Sequence, residues 1–432
     1  MPPNASLHTV GVLGISSDDG GDFRKWVRIG DFEYDVTHFK HPGGNIINYM
    51  LTSVGADATE TFKEFHMRSK RAPLVLKSLP KRAAGPRRLR KQERQTLQAF
   101  DQFRMGLVKE GFFEPSMAHI CFRVLELVAM FCFGLYLFSL EGIAFKTAGV
   151  AVLGLFSGRC GWLQHEGGHN SLTCNMKVDK AIQAISIGFG LGTSASMWNS
   201  MHQKHHATPQ KVGHDLDLDT TPLAAFFDTA IENNRKRAYS KTWIRFQAFT
   251  FLPFTSGCFV MLFWLLYLHP RKVIVEGKWH QGFWMLVSHT VRPMLMAHFS
   301  GVTFLQAYAA HWVCLWLAGM YLFGHFSLSH THMPVVGQGD HANWVEYALN
   351  HTVDINPENP LVNWVMGYLN CQVVHHLFPN MPQFRQPEVC RRLTRFCKEN
   401  SLEYNVISYP EAWRRTFVNL NEVGKHYFAL KR

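Results

Sequence analysis

The chain of 432 residues has nine cysteines but no C-x-x-C pair, and several of the nine fall inside apolar runs. A disulfide scaffold or a zinc ribbon is therefore not expected. The first twenty residues carry Asp18 and Asp19 and lack a basic stretch ahead of an apolar core, so no cleavable secretory signal is visible and the N-terminus is expected in the cytosol. The stretch 214–222, HDLDLDTTP, begins like a calcium loop at Asp215, Asp217 and Asp219. It has Thr220 where such a loop needs Gly and Phe226 where it needs Glu, so calcium is set aside. What remains for that stretch is a surface turn or a carboxylate that orients metal-bound imidazoles.

Acidic residues are outnumbered, 32 against 44 basic, giving a formal charge of +12. No basic and aromatic surface pattern accompanies that charge, so nucleic acid is not an expected partner. Nearly half the residues are apolar, in strong blocks that alternate with basic ones. Together these point to an anionic membrane face.

The apolar blocks run near 120–140, 148–163, 249–268, 283–300 and 302–323. The first two are near the length that crosses about 30 Å of hydrocarbon and form a hairpin. If the last three all crossed, the histidine sets described next would end on opposite sides. One must fail to span: either 249–268, leaving 283–323 as the second hairpin, or 283–300. The apolar but Gly- and Ser-rich stretch 182–198 reads as an interfacial helix, and it and 249–268 as candidate walls of an apolar tunnel.

Histidine is the residue the chain has in abundance, 24 in all. On a helix, His165 and His169 share one face, as do His202, His205 and His206, and as do Gln372, His375 and His376. Imidazole suits iron, zinc or copper, and three such faces brought together would saturate more than one ion. His330, in SHTHMP after the last apolar block, is expected to complete the shell in preference to His332. Glu166 is expected to support the site or face solvent rather than bind metal. Trp198 and Asn199 are candidate liners of a substrate path, with an interfacial anchor as the other reading of Trp198. His289, His298, His311 and His325 read as packing or lining residues.

Residues 1–24 read as a disordered lead. In 25–80, the stretch His41-Pro42-Gly43-Gly44 followed by His66 in FKEFH resembles the cytochrome b5 haem-binding domain, which implies His41 and His66 as the two axial ligands. Two histidines on opposite haem faces leave no open position for oxygen, so such a site carries electrons. Residues 81–117 read as a basic linker, either a solvated hinge or a headgroup-facing strip, followed by an interfacial helix. The membrane segment with the histidine sets spans 118–425, with a short tail at 426–432.

Taken in order, HPGG, HEGGH, HQKHH and QVVHH resemble the front-end fatty acyl desaturases fused to cytochrome b5. That resemblance implies a mainly α chain: an N-terminal α+β haem domain, then a four-span helical membrane domain under a cytosolic di-iron cap. It implies two non-haem irons on His165, His169, His202, His205, His206, Gln372, His375 and His376, to which the residue reading adds His330, with haem b on His41 and His66. Dioxygen is the expected co-substrate, with electrons from NADH through a cytochrome b5 reductase. The expected product is a new double bond at carbon 5 or 6 of a polyunsaturated acyl chain, carried as a CoA thioester or a phospholipid in the endoplasmic reticulum membrane, with both termini cytosolic. A b5-fused sphingolipid desaturase or lipid hydroxylase, and a membrane-anchored haem electron carrier, are the alternatives.

Overall fold

The computed structural model describes residues 15–17, 23–42, 46–47, 57–87, 89–213, 215, 220, 223–228, 241–337 and 343–429. Gly43, Gly44, Asp217 and Asp219 lie outside them. The chain begins with a four-stranded antiparallel sheet in the order β1 (Ile15–Ser17), β2 (Phe23–Ile29), β3 (Phe32–Asp35) and β4 (Lys81–Ala83). Gly30, at φ 64°, supplies the left-handed residue that turns β2 into β3, pairing Ile29 with Phe32. Residues 15–17 are thus paired rather than part of a disordered lead, and β4 carries the haem domain's sheet past residue 80. Helices α1 (Thr59–Phe65) and α2 (Ala72–Ser78) complete the small domain.

The basic stretch after β4 does not behave as a solvated hinge. Arg87 folds back to pair with Asp57 and, through both terminal nitrogens, with Glu60. The helix that follows, α3 (Lys91–Lys109), buries Leu97, Phe100 and Leu107 against Phe378, Leu393 and Phe396. Its apolar face is therefore spent on protein.

Helices α4 (Met117–Ser139) and α5 (Ile143–Gly168) form the expected hairpin. The expected single helix over 182–198 is broken. Helix α6 (Met176–Leu191) stops at Gly192, at φ 69°, and α7 (Ala195–Ala207) starts afresh. Next come α8 (Gln247–Glu276), which includes two π-helical stretches, α9 (Trp279–Ser300) and α10 (Phe304–Ser327). Helix α10 lies close along α5 because Gly154, Gly158 and Gly161 leave room for Leu317, Tyr321 and Leu322; a methyl group on any of them would come within 2.8 Å of a neighbour.

Among the described residues, four helices are long and apolar enough to cross a membrane: α4, α5, α8 and α10. Contacts add what apolarity leaves out. At one end of α8, the Gln247 side chain bonds the backbone of Ala225 and Leu420. At the other, His269 accepts from the Ser194 amide at 2.7 Å and Lys272 reaches Ser200 on α7. Helix α9 instead starts beside α7, where Gln281 accepts from the Ser196 amide. It ends near Met296, packed with Phe138 and Ala307 at the far end of the bundle. Helices α9 and α10 are antiparallel, joined through Gly301.

The last part of the chain covers one end of this bundle. It contains α11 (Trp344–His351), β5 (Asp354–Ile355), α12 (Pro360–Val365), α13 (Gln372–Leu377), α14 (Gln386–Glu399), β6 (Val406–Ile407) and α15 (Tyr409–Ala429). β5 and β6 pair in parallel.

Candidate metal centre and haem site

The last turn of α5 carries His165, and His169 follows at its C-terminal cap; the last turns of α7 carry His202, His205 and His206. Helix α13 brings Gln372, His375 and His376 from about two hundred residues away. All of these side chains are buried. They sort into two groups in which one ligand atom per residue lies within 4.8 Å of every other: His165, His169, His202, His206 and His375 in one, His205, His330 and His376 in the other. The third set does converge with the first, since the His375 ring centroid is 4.7 Å from those of both His165 and His169.

Hydrogen bonding cannot account for this packing. His202 Nε2 lies 2.9 Å from His165 Nε2, 3.1 Å from His169 Nε2 and 3.0 Å from His206 Nε2. One ring nitrogen has one in-plane position and serves one such partner. Nitrogens bonded at about 2.1 Å to a shared ion and set at right angles around it stand roughly 3.0 Å apart, which is the spacing seen. In the second group, Gln372 Nε2 is 2.9 Å from His330 Nε2 and 3.1 Å from His376 Nε2. The amide orientation is an assignment, and turning it over would present the oxygen as a donor atom. The groups adjoin, with the His206 and His376 rings stacked at 4.3 Å.

Burial, reinforced by neighbouring imidazoles, pushes His169, His206, His330, His375 and His376 well below the ordinary histidine range. They are therefore neutral donors at neutral pH, the form a metal requires. Among the described residues no cysteine joins either group. An all-imidazole set with one amide fits iron. His332 is in neither group, in keeping with the preference for His330.

Three supports hold the rings in place. The Asp215 carboxylate accepts from His205 Nδ1 at 2.9 and 3.0 Å and from the Gln210 amide at 2.8 Å, so it is a buried orienting group rather than a surface turn. Gln383 Nε2 meets His165 Nδ1 at 2.8 Å, while its own amide donates to Glu166. Glu166 is fully buried beside His119, at 3.4 Å, which corrects the solvent-facing reading and fits the supporting one. Asp354, at the end of the β5–β6 pair, accepts from the Val373 amide at 2.7 Å and anchors the first turn of α13. Burial pushes its carboxyl up to about 6, against the lowering pull of Tyr404, Val373 and Cys390. Gln383 and Asp354 were not singled out from sequence, since a lone polar residue without helical spacing carries no local signal.

Trp198 stacks on His202 at 4.2 Å and lies 5.3 Å from His165, so it backs the metal groups. Asn199 is tied to Gln183 by paired amide bonds and to Lys180. His325 is held by the Tyr321 carbonyl and the Tyr409 hydroxyl, and His289 and His311 contact each other at 3.3 Å.

At the other site, the His41 and His66 rings face each other across 5.8 Å between centroids. Two imidazoles bonded end-on to one ion at about 2 Å each need roughly this separation, so the pair fits a haem iron between them. His66 Nδ1 donates to the Phe62 carbonyl at 3.1 Å, which leaves Nε2 for the iron. Burial, with His66 adding to it, lowers His41 to about 4.

Comparison with known proteins finds relatives of both parts of the chain. Residues 142–408 match the family described as fatty acid desaturase, and residues 15–106 match the cytochrome b5-like heme/steroid binding domain. An acyl-lipid (8-3)-desaturase of Rebecca salina is 42% identical over 98% of this chain and 96% of its own. One from a Thraustochytrium species is 38% identical over 95% and 94%. The delta(6)-fatty-acid desaturase fat-3 of Caenorhabditis elegans is 24% identical over 90% and 93%.

Proposed function

From the chain's membership of the fatty acid desaturase family, as a front-end desaturase fused to a cytochrome b5-like domain, we propose that it inserts a double bond at carbon 5 of a polyunsaturated chain esterified in a lipid. Two of its relatives support this choice: both are named acyl-lipid (8-3)-desaturases, which reads as insertion three carbons in front of a bond at carbon 8. The observation that carries the reading is the convergence of eight imidazoles and Gln372 in two adjoining groups.

An unactivated methylene C–H lies beyond any amino-acid base, so the chemistry belongs to a cofactor. Two irons held by the two groups would supply the activation of dioxygen; one dioxygen, two electrons, two protons and the two hydrogens lost from adjacent methylene carbons give one C=C bond and two waters. The chain's own residues have the tasks of holding and excluding. His205 is fixed by Asp215 and His165 by Gln383, while Trp198 shields the face of His202. A haem held by His41 and His66 would supply the electrons one at a time, and a cytochrome b5 reductase drawing on NADH would replenish it.

Helices α4, α5, α9 and α10 are assigned as the four spans of an endoplasmic reticulum membrane protein with cytosolic termini, and α8 as a helix that dips in and returns. Both ends of α8 touch elements on the histidine side, which supports this in spite of its greater apolarity. Helix α9 tolerates Arg292 because that side chain is bonded inside the bundle to the Gly190 carbonyl and Ser157. The basic stretch 81–94 fits the cytosolic side. A glycosylation acceptor inserted at Gly301 should be modified and one at Gly277 should not; modification at both would exchange the roles of α8 and α9.

The function is tested in yeast expressing the chain and fed acids whose first double bond lies at carbon 8, at carbon 9, or at neither. New unsaturation at carbon 5 in phospholipid is the expected product. Hydroxylated lipid alone would replace desaturation with hydroxylation.

A further inference from the structure

The haem domain does not hang free on its linker. Phe65, immediately before His66, points the edge of its ring at His206, with centroids 6.4 Å apart and planes at 90°. The same ring meets Trp344 at 6.1 Å, and Phe65 and Met67 pack on the apolar core that surrounds α13. From the other side, Ala207, next to His206, is buried in the haem domain's own core with Val27, Val36 and Ala58. Polar contacts ring this seam. Asn380 donates through Nδ2 to the Glu64 carbonyl, and Arg68 donates to the carbonyls of Phe113 and Asn380. The buried Glu64 carboxylate pairs with Arg104 on α3, and Lys63 pairs with Asp101. The end of α1 that leads into His66 is therefore clamped from several directions.

We propose that Phe65 is a positioning residue for electron transfer, holding the haem domain docked so that one ring spans the gap between the His66 and His206 ligand sets. This rests on reading His66 as a haem ligand and His206 as a non-haem iron ligand. In each transfer one electron leaves ferrous haem, which becomes ferric, and reduces one non-haem iron from ferric to ferrous. No bond or proton moves at Phe65. Two such transfers serve each double bond, and the reductase restores the haem between them. A tethered but undocked domain would deliver electrons only for the fraction of time it met the cap. A packed aromatic ring removes that search and excludes water from the gap.

The experiment uses full-length protein carrying haem and iron, with the haem reduced under anaerobic conditions and then mixed with oxygen and an acyl substrate. Haem absorbance reports reoxidation. Phe65→Leu should leave the haem spectrum and its potential unchanged and slow reoxidation about five- to tenfold, the effect of losing an aromatic contact at a docking seam. Asn380→Ala, on the opposite side of the seam, should slow the same step by a smaller factor. A Phe65→Leu protein that keeps its haem and is reoxidised at the wild-type rate overturns the inference. If Phe65→Leu loses haem, Asn380→Ala decides, and a wild-type rate there overturns it. Failure of the wild-type haem to reoxidise at all overturns the functional reading and the inference with it.

Discussion

The haem pair and the histidine cap use the same side chain to opposite effect. His41 and His66 come from two segments of a small domain, with rings 5.8 Å apart and each still partly exposed. Two axial histidines on a haem would leave no open position for oxygen, so such a site would suit passing an electron. The cap draws its donors from α5, α7, α13 and the turn at His330, all buried. Its geometry depends on remote supports such as Asp215, Gln383 and Asp354. The difference shows that electron relay needs only two ligands in a fold of about seventy residues, whereas a site that must present a reactive centre to a lipid chain needs a whole bundle to hold it.

Breaking each site separately sharpens that contrast. His375→Ala should lower desaturation by more than about a hundredfold, beyond the 10- to 100-fold expected for loss of a supporting residue. Non-haem iron should fall in metal analysis while the haem spectrum stays intact. His66→Ala should do the converse, removing the haem absorbance while two non-haem irons remain. Product should then return in part when a separate cytochrome b5 is co-expressed. If either substitution removed both kinds of iron, the two sites would not be the independent units described.

Asp215→Asn should come next, lowering activity about 10- to 100-fold through weaker metal retention. It keeps the shape of the side chain but gives His205 a weaker acceptor, so added iron should restore part of the loss. His332→Ala, close by but in neither group, should leave the iron content at the wild-type value.

Acid should separate the sites more gently. The folded pKa of His41 lies at about 4, below the ordinary 6.5. The unfolded chain therefore binds the extra proton first, so the stability from this group is full above 6.5 and is lost as pH falls toward 4. The haem-free protein should accordingly keep this domain folded to well below pH 6.5 in an acid titration, and unfolding centred near 6.5 would show that burial does not hold His41 neutral.

Much of the site was legible because helix periodicity is a local property. The i, i+3, i+4 spacing placed His202, His205 and His206 on one face, and Gln372, His375 and His376 on another. His330 could be preferred over His332 from its position after an apolar block. Legibility ended where a residue acts across the fold. Gln383 supports His165 from 218 positions away, and Asp354 anchors α13 through a two-residue strand pair. Apolar content could not register that Arg292 on α9 finds its partners inside the bundle, at the Gly190 carbonyl and Ser157.

By itself the sequence determined the candidate donors and their helical faces, the candidate haem pair, and the alternation of apolar and basic blocks, since each depends on residues within a few turns of one another. Only the tertiary structure decided which imidazoles cluster together, which carboxylates and amides aim them, and that the N-terminal domain is seated on the cap. These are relations between segments whose separation is fixed by packing and buried hydrogen bonds, and nothing in the local order of residues sets that distance.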